Sequence, residues 1–228
     1  MVERFVEFFQ HYPLDVISHL FLFSPVCVFI YRRAFFDKAL LCVCLYFLVH
    51  FLEETVLLYY VLHKQSTISI QKGLIAIDTL VIAELYYLAL KENEISRQIG
   101  LALSLVTLFV TIVTYVYSQY SFIGASLFRL LLILFAIVYF NKILAENRIL
   151  KIIHHPMFWI SSAFLVFGMG TFMTSLFIDY LLDPAITSDK TFDLFWNMGQ
   201  LLSVFQCVLV SIGFWVSKFD RGNYIQPL

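Results

Sequence analysis

A histidine and two neighbouring carboxylates lie inside an apolar stretch of the sequence, HFLEETVLLYYVLHK at residues 50–64. His50, Glu53 and Glu54 are residue types that exchange protons and bind metal ions. At about 100° per residue in a helix, Glu53 falls about 60° to one side of His50, and Glu54 about 40° to the other. Because charged groups are costly in hydrocarbon, we expect this face to point into a helix bundle.

Three kinds of chemistry fit this helix face, which Tyr46 and Tyr60 share. It could hold helices together by hydrogen bonds, respond to protons or a ligand, or bind a metal ion. The H-x-x-E-E spacing resembles half of a di-metal carboxylate site, but no E-x-x-H pattern occurs elsewhere in the sequence. We therefore predict no metal and no cofactor. If a metal did bind, its candidate ligands would be His50, Glu53 and Glu54.

The composition is that of a membrane protein, with 61% hydrophobic residues, 14% charged residues and a mean hydropathy of +0.86. Soluble domains carry about 25% charged residues. A membrane span needs about 20 predominantly apolar residues. Seven segments qualify: 14–31, 39–62, 70–90, 98–119, 122–141, 155–182 and 193–217. The sequence therefore predicts an all-α polytopic membrane protein, with one integral membrane domain over residues 1–228 that forms a seven-transmembrane-helix bundle.

The distribution of lysine and arginine predicts the orientation of this bundle. One side carries ten of them: Arg32, Arg33, Lys38, Lys91, Arg97, Lys142, Arg148, Lys151, Lys218 and Arg221. The other side carries four: Arg4, Lys64, Lys72 and Lys190. Since cytoplasmic loops are enriched in these residues, we expect the N-terminus outside and the C-terminus in the cytoplasm.

The residues before Pro13 are predicted to form a short amphipathic segment at the membrane interface. A net charge of −1 without a basic tail argues against a nucleic-acid partner.

Further ionisable and polar residues fall within the predicted spans, where such residues indicate function by default. Asp78 and Arg129 are the predicted ion pair among them. With the residues of the second span they complete the candidate ligand- or proton-sensing set: His50, Glu53, Glu54, Tyr46, His19, Asp78, Arg129, Glu84, Asn197 and Gln200. We expect His19, Asp78, Arg129, Asn197 and Gln200 at similar depth in the outer half of the membrane. No residue is predicted to be catalytic.

The fourth span carries a stripe of hydroxyl residues at steps of three and four. Its members are Ser104, Thr107, Thr111, Thr114 and Ser118. They share one helix face, so the stripe is either a hydrated path or a surface that lets a neighbouring helix approach closely. At the start of the sixth span, His154 and His155 precede Pro156 and are predicted to be interfacial.

Two segments carry a resemblance to known proteins: AIDTLVIAELYYLAL in the third span and HPMFWISSAFLVFGMGTFM in the sixth. The chain resembles a poorly characterised group of seven-helix membrane proteins from Bacteroidetes-type bacteria. Members open the sixth helix with Pro-x-Phe-Trp, here Pro156, Phe158 and Trp159, and place an acidic residue before aromatics in the third, here Glu84. They are similar to the membrane-sensing modules found near histidine kinases, which implies a separate cytoplasmic partner for this chain.

We therefore expect a non-catalytic membrane sensor or transducer in the bacterial inner membrane. Its expected partners are the lipid bilayer and either a cytoplasmic protein or a second copy of the chain. One alternative is a membrane effector or channel-like protein, for example in bacterial defence, that perturbs the inner membrane. Another is an intramembrane enzyme that acts on a lipid through a metal ion or acid–base catalysis.

Overall fold

A computed structural model of the protein describes residues 2–32, 37–91, 94–117, 123–146, 149–183 and 185–220. Within these ranges the chain is almost entirely α-helical and contains no β-strand. The helices are α1 (Val2–His11), α2 (Pro13–Phe21), α3 (Ser24–Arg32), α4 (Lys38–Leu62), α5 (Ile68–Ala89), α6 (Glu94–Val116), α7 (Ile123–Glu146), α8 (Pro156–Leu176), α9 (Ile178–Leu181) and α10 (Asp189–Asp220).

Six helical segments in the described parts of the chain are long and apolar enough to cross a membrane. They are Pro13–Arg32, Lys38–Leu62, Glu94–Val116, Ile123–Ala145, Pro156–Leu176 and Asp189–Asp220. The predicted all-α architecture is thereby confirmed, and the six segments fit a multi-pass membrane protein. The predicted third span is present as the 22-residue helix α5, which carries Asp78 and Glu84 but is not one of these six. The count of seven spans stays a prediction.

The predicted first span is two helices rather than one. A turn at Leu22 and Phe23 separates α2 from α3, and Pro25 lies in the first turn of α3. Proline has no N–H to donate to the carbonyl four residues earlier, so a continuous helix would lose that bond at Phe21. The predicted sixth span likewise ends early, at Leu176, and the short helix α9 follows it.

Five long helices and the α2–α3 segment close into a ring. Around the ring, α4 packs on α5, α5 on α7, α7 on α8, and α8 on α10. The α2–α3 segment closes it, because α10 packs on both α2 and α3, and these in turn contact α4. The remaining long helix, α6, packs outside the ring against α5 and α7.

The two ends of the ring differ in how they are filled. We call the end that contains α1 and residues 63–67 the α1 end, since Arg4 Nη1 donates to the carbonyl of Leu62 there. The hydrophobic core lies toward the opposite end, and its largest fully buried side chains include Phe47, Tyr86, Phe135, Phe164 and Phe214. The α1 end is less apolar, and its interior is described in the next section.

The outer surface of the bundle is apolar over most of its length. On α6 the side chains of Leu105 and Phe109 are 65% and 68% exposed. In water such surface would be unfavourable, but in a bilayer it contacts acyl chains of equal polarity. This exposure is the structural counterpart of the hydropathy that the sequence shows.

Close approach of α8 and α10 depends on a glycine. A Cβ atom at Gly213 would lie 3.0 Å from the carbonyl oxygen of Pro156 and 3.0 Å from Ile160 Cγ1. Since the backbone of α8 cannot move locally, we expect Gly213→Ala to lower the free energy of unfolding by about 1–3 kcal/mol. Thermal unfolding of the purified protein in nanodiscs measures this. Gly73→Ala is the control, because a Cβ there meets nothing within 4 Å. Equal stability of the two variants would contradict the packing assigned to Gly213.

Candidate functional site

A half-open cavity of about 290 Å³ lies inside the ring at the α1 end. Five long helices contribute side chains to its wall. From α4 and α5 these are His50, Glu53, Glu54, Leu57, Gln71, Leu74, Ile75 and Asp78. From α7 to α10 they are Ala125, Phe128, Arg129, Phe167, Thr171, Thr174, Ser175, Ile178, Phe195, Trp196, Gly199, Gln200 and Ser203. Apolar walls with a few converging polar groups are typical of small-ligand sites.

Two carboxylates and one imidazole meet in this cavity. His50 Nδ1 lies 3.3 Å from Glu53 Oε2 and 3.8 Å from Asp78 Oδ2. His50 and Glu53 are three residues apart on α4 and share a face, while Asp78 comes from the adjacent helix α5. The contact between His50 and Glu53 is a hydrogen bond, while the neighbouring Glu54 lines the cavity.

The two clustered carboxylates have buried oxygens without a partner. Glu53 and Asp78 are each 6% exposed, and both Glu53 Oε1 and Asp78 Oδ1 lack a hydrogen bond. A buried polar group left unpaired costs about 1–3 kcal/mol, and more when it is charged. These two oxygens can therefore accept hydrogen bonds from a ligand that enters the cavity.

The predicted ion pair between Asp78 and Arg129 is wrong. Asp78 lies against His50 instead, and the Arg129 guanidinium lies over the ring of Phe167, 4.5 Å from its centroid. The Nε of Arg129 is buried and has no hydrogen-bond partner. The cation–π contact holds the guanidinium against Phe167 of α8. Charges of opposite sign thus face the same cavity without pairing directly.

Tyr46 packs against the cluster on the side of the aromatic core. Its ring stacks on that of His50, with centroids 5.7 Å apart and planes 8° apart, and it meets Phe164 edge-on. Tyr46 is 1% exposed and does not line the cavity. Its contribution is to fix the plane of the imidazole and to close the cavity toward the aromatic core.

Helix α2 closes the side of the site near α10. Trp196 Nε1 donates to Asp15 Oδ1 over 2.8 Å, and Ser18 Oγ donates to Gln200 Oε1. Both Trp196 and Gln200 line the cavity, so these two bonds couple its wall to α2. The predicted residue His19 also lies on α2, but it contacts Thr55 Oγ1 at 3.2 Å.

The predicted site residues thus separate into two groups. The cavity brings together His50, Glu53, Glu54, Asp78, Arg129 and Gln200, with Tyr46 beneath them. It does not include His19, Glu84, Asn197 or Tyr60. Glu84 has an exposed side chain on the outer face of α5.

Several polar lining residues were not predicted from the sequence: Gln71, Thr171, Thr174, Ser175, Trp196 and Ser203. Gln71 carries the one signal that was available, since an amide inside an apolar span needs an interior partner. The hydroxyl residues gave none, because serine and threonine can return a hydrogen bond to their own helix.

The hydroxyl stripe on α6 is a packing surface in this structure. Ser104, Thr107, Thr111 and Thr114 are buried, and each hydroxyl donates to a carbonyl of α6 itself. A Cβ added at Gly124 of α7 would lie 3.2 Å from Thr111 Oγ1, so the two helices are in close contact. This geometry favours the packing interpretation over a hydrated path. Ser118 lies outside the described residues.

A second polar cluster lies at the end opposite α1. His155 Nδ1 is 2.9 Å from Asp220 Oδ1, and His155 Nε2 is 2.6 Å from the hydroxyl of Tyr139. The interfacial depth of His155 stays a prediction, while its side chain is buried and joins α10 to α7. No sequence pattern predicts this cluster, since its three residues are far apart along the chain.

None of the known protein families, curated proteins or solved structures with which the chain was compared matches it. The site must therefore be interpreted from its own geometry.

The cavity should be open to water-soluble reagents. We expect Ser203→Cys, in a background with Cys27, Cys42 and Cys44 replaced by serine, to react with methanethiosulfonates in proteoliposomes. Because carboxylates outnumber cations in the wall, a cationic reagent should react roughly tenfold faster than an anionic one. Native Cys207, one turn along α10 and 0% exposed, is the internal control and should stay unmodified. Mass spectrometry measures the modification of each thiol. If both thiols are equally protected, the cavity is not open.

The Tyr139–His155–Asp220 cluster should contribute to stability. Removal of the hydroxyl in Tyr139→Phe leaves His155 Nε2 without that bond, at an expected cost of about 1–3 kcal/mol. Chemical unfolding in mixed micelles measures the difference. Tyr31→Phe serves as control, because Tyr31 is 74% exposed and keeps its stacking on Trp215. A Tyr139→Phe variant as stable as this control would show that the bond is not formed.

Proposed function

We propose that the protein is a non-catalytic membrane sensor or transducer. A polar ligand binds in the cavity at the α1 end, changes the packing of the helix ring, and a separate cytoplasmic partner responds to the change. The observation that carries this proposal is the cavity itself. In it, side chains from different helices converge and two buried carboxylate oxygens have no partner.

The wall of the cavity links binding to helix packing. Glu53 lies on α4, Asp78 on α5, Arg129 on α7 and Gln200 on α10. A ligand that satisfies groups on several helices favours the packing in which those groups are closest. Binding shifts a protein between arrangements only to the extent that it prefers one of them, and this site offers such a preference.

The orientation of the bundle in the membrane assigns ligand binding to one end of the ring and contact with the partner to the other. We propose that α5 is the seventh span and that the α1 end faces outward, as the distribution of lysine and arginine predicts. The cavity is then reached from outside the bacterial inner membrane. The opposite end, with His155, Lys142 and Lys151, then faces the cytoplasm and its partner. The resemblance to the membrane-sensing modules found near histidine kinases supports this assignment.

The channel-like alternative has less support. Its proposed path was the stripe on α6, whose hydroxyls bond to their own helix and pack against α7. The cavity of the ring ends at Tyr46 and Phe164 rather than continuing through the aromatic core. An effector that depends on a transmembrane path would need a different arrangement of these helices.

Covalent modification of the cavity can stand in for an unknown ligand. We expect a cationic methanethiosulfonate adduct on Ser203→Cys to speed hydrogen–deuterium exchange at residues 152–160 and 210–220. The added group cannot fit without moving the surrounding helices, and the core at the opposite end packs against the same helices. Mass spectrometry of protein in nanodiscs measures the exchange at these residues. A separate labelling in right-side-out vesicles tests the orientation, because only outward-facing thiols should react there.

The control is the same adduct on Ile186→Cys. Ile186 is 63% exposed, lies at the α1 end and does not line the cavity. Its modification should leave exchange at the opposite end unchanged. If the Ser203→Cys adduct also leaves that exchange unchanged, the cavity is not coupled to the far end and the transducer proposal fails.

A further inference from the structure

We propose that His50, Glu53 and Asp78 form a binding site for one divalent first-row transition-metal ion, of the Zn²⁺ and Mn²⁺ class. This inference deepens the proposed function and rests on it, because the ion would be the ligand that the cavity senses. It departs from the expectation drawn from the sequence. There the candidate ligands all lay on one helix, whereas the structure supplies the third ligand, Asp78, from α5.

The spacing of the three ligand atoms fits a single ion. One nitrogen of His50 and one oxygen each of Glu53 and Asp78 all lie within 4.8 Å of one another. An ion with bonds of about 2.0–2.2 Å holds neighbouring ligand atoms about 3.0–3.5 Å apart. The observed separations of 3.3 Å and 3.8 Å from His50 Nδ1 are close to that range. Only small side-chain movements are needed to complete the coordination.

The burial of the two carboxylates is a second observation that indicates a metal ion. An acidic cluster on a protein surface is solvated and needs no ion. Here Glu53 and Asp78 are each 6% exposed, and Glu53 Oε1 and Asp78 Oδ1 have no hydrogen-bond partner. Buried charges are generally paired or bound to metal. A dication would neutralise the two carboxylates, and the Arg129 guanidinium, which packs over Phe167, forms no ion pair with either of them.

The donor set selects the class of ion. One imidazole with two carboxylates suits Zn²⁺, Mn²⁺ and Fe²⁺, whereas Ca²⁺ takes six to eight oxygens and Mg²⁺ prefers oxygen and water. Three protein ligands leave at least one coordination position of the ion open, and here that position faces the cavity. In closed structural zinc sites the protein fills all four positions, so this site would be exchangeable rather than structural. The stacking of Tyr46 on His50 holds the imidazole in place for the ion.

Metal binding to the full chain tests the site directly. Protein in nanodiscs is stripped with a chelator and titrated separately with Zn²⁺, Mn²⁺, Mg²⁺ and Ca²⁺, and bound metal is counted by mass spectrometry. We expect one Zn²⁺ or Mn²⁺ per chain and no stoichiometric Mg²⁺ or Ca²⁺. The variants Glu53→Gln and Asp78→Asn should each weaken binding by at least about tenfold, since loss of a ligand costs no less than loss of its supporting partner.

Glu84→Gln is the matched control. Glu84 is a carboxylate on the same helix as Asp78, but its side chain is exposed and lies outside the cavity. This variant should bind metal like the wild type. If the ligand variants fold poorly, electron spin-echo spectroscopy of Mn²⁺ in the wild-type protein replaces them and should show one coupled imidazole nitrogen. Absence of stoichiometric metal, unchanged binding in Glu53→Gln/Asp78→Asn, or a spectrum without imidazole coupling would each overturn the site.

The outcomes separate this inference from the transducer proposal. If metal binds but hydrogen–deuterium exchange at residues 210–220 is the same with and without the ion, the site stands and metal sensing fails. If no metal binds but the Ser203→Cys adduct still alters that exchange, the cavity transmits a signal and its ligand is not a metal ion. Metal binding together with altered exchange supports both.

Discussion

The cost of a carboxylate in hydrocarbon determines how this bundle is arranged. Glu53 and Asp78 lie near the middle of long apolar helices, and neither can face acyl chains without a large penalty. Adjacent packing of α4 and α5 turns both residues inward against His50. The other helices then close around them, and a ring with a polar interior at one end follows from that requirement. Helix α6 carries no such group in its middle and remains outside the ring.

The two ends of the ring divide stability and binding between them. Away from α1, side chains such as Phe47, Tyr86 and Phe164 are fully buried and supply the dense packing. Near α1 the helices leave about 290 Å³ between them. The close approach of α8 and α10 at Gly213 lies in the packed half. A region with unsatisfied polar groups and open volume is one that a ligand can reorganise, while the core maintains the fold.

The described side chains inside the ring include two clusters of ionisable groups near its opposite ends. His50 with Glu53 and Asp78 lines the cavity, whereas His155 with Tyr139 and Asp220 ties α7, α8 and α10 together. Helices α7, α8 and α10 extend through both regions. A change of packing around the cavity therefore has a direct physical route to the other end, and no flexible linker intervenes along any of these helices.

The sequence by itself determined the membrane class, the helical content and the face of α4 that carries His50 and Glu53. These follow from composition and from the fixed 100° step of a helix, which are local properties. Tertiary structure alone decided the partners. Asp78 joins His50 rather than Arg129, and His155 is buried against Asp220, because helix rotation and neighbour order depend on packing between segments distant in sequence. Glu84 has the same acidic chemistry as Asp78, yet it lies outside the cavity for that reason.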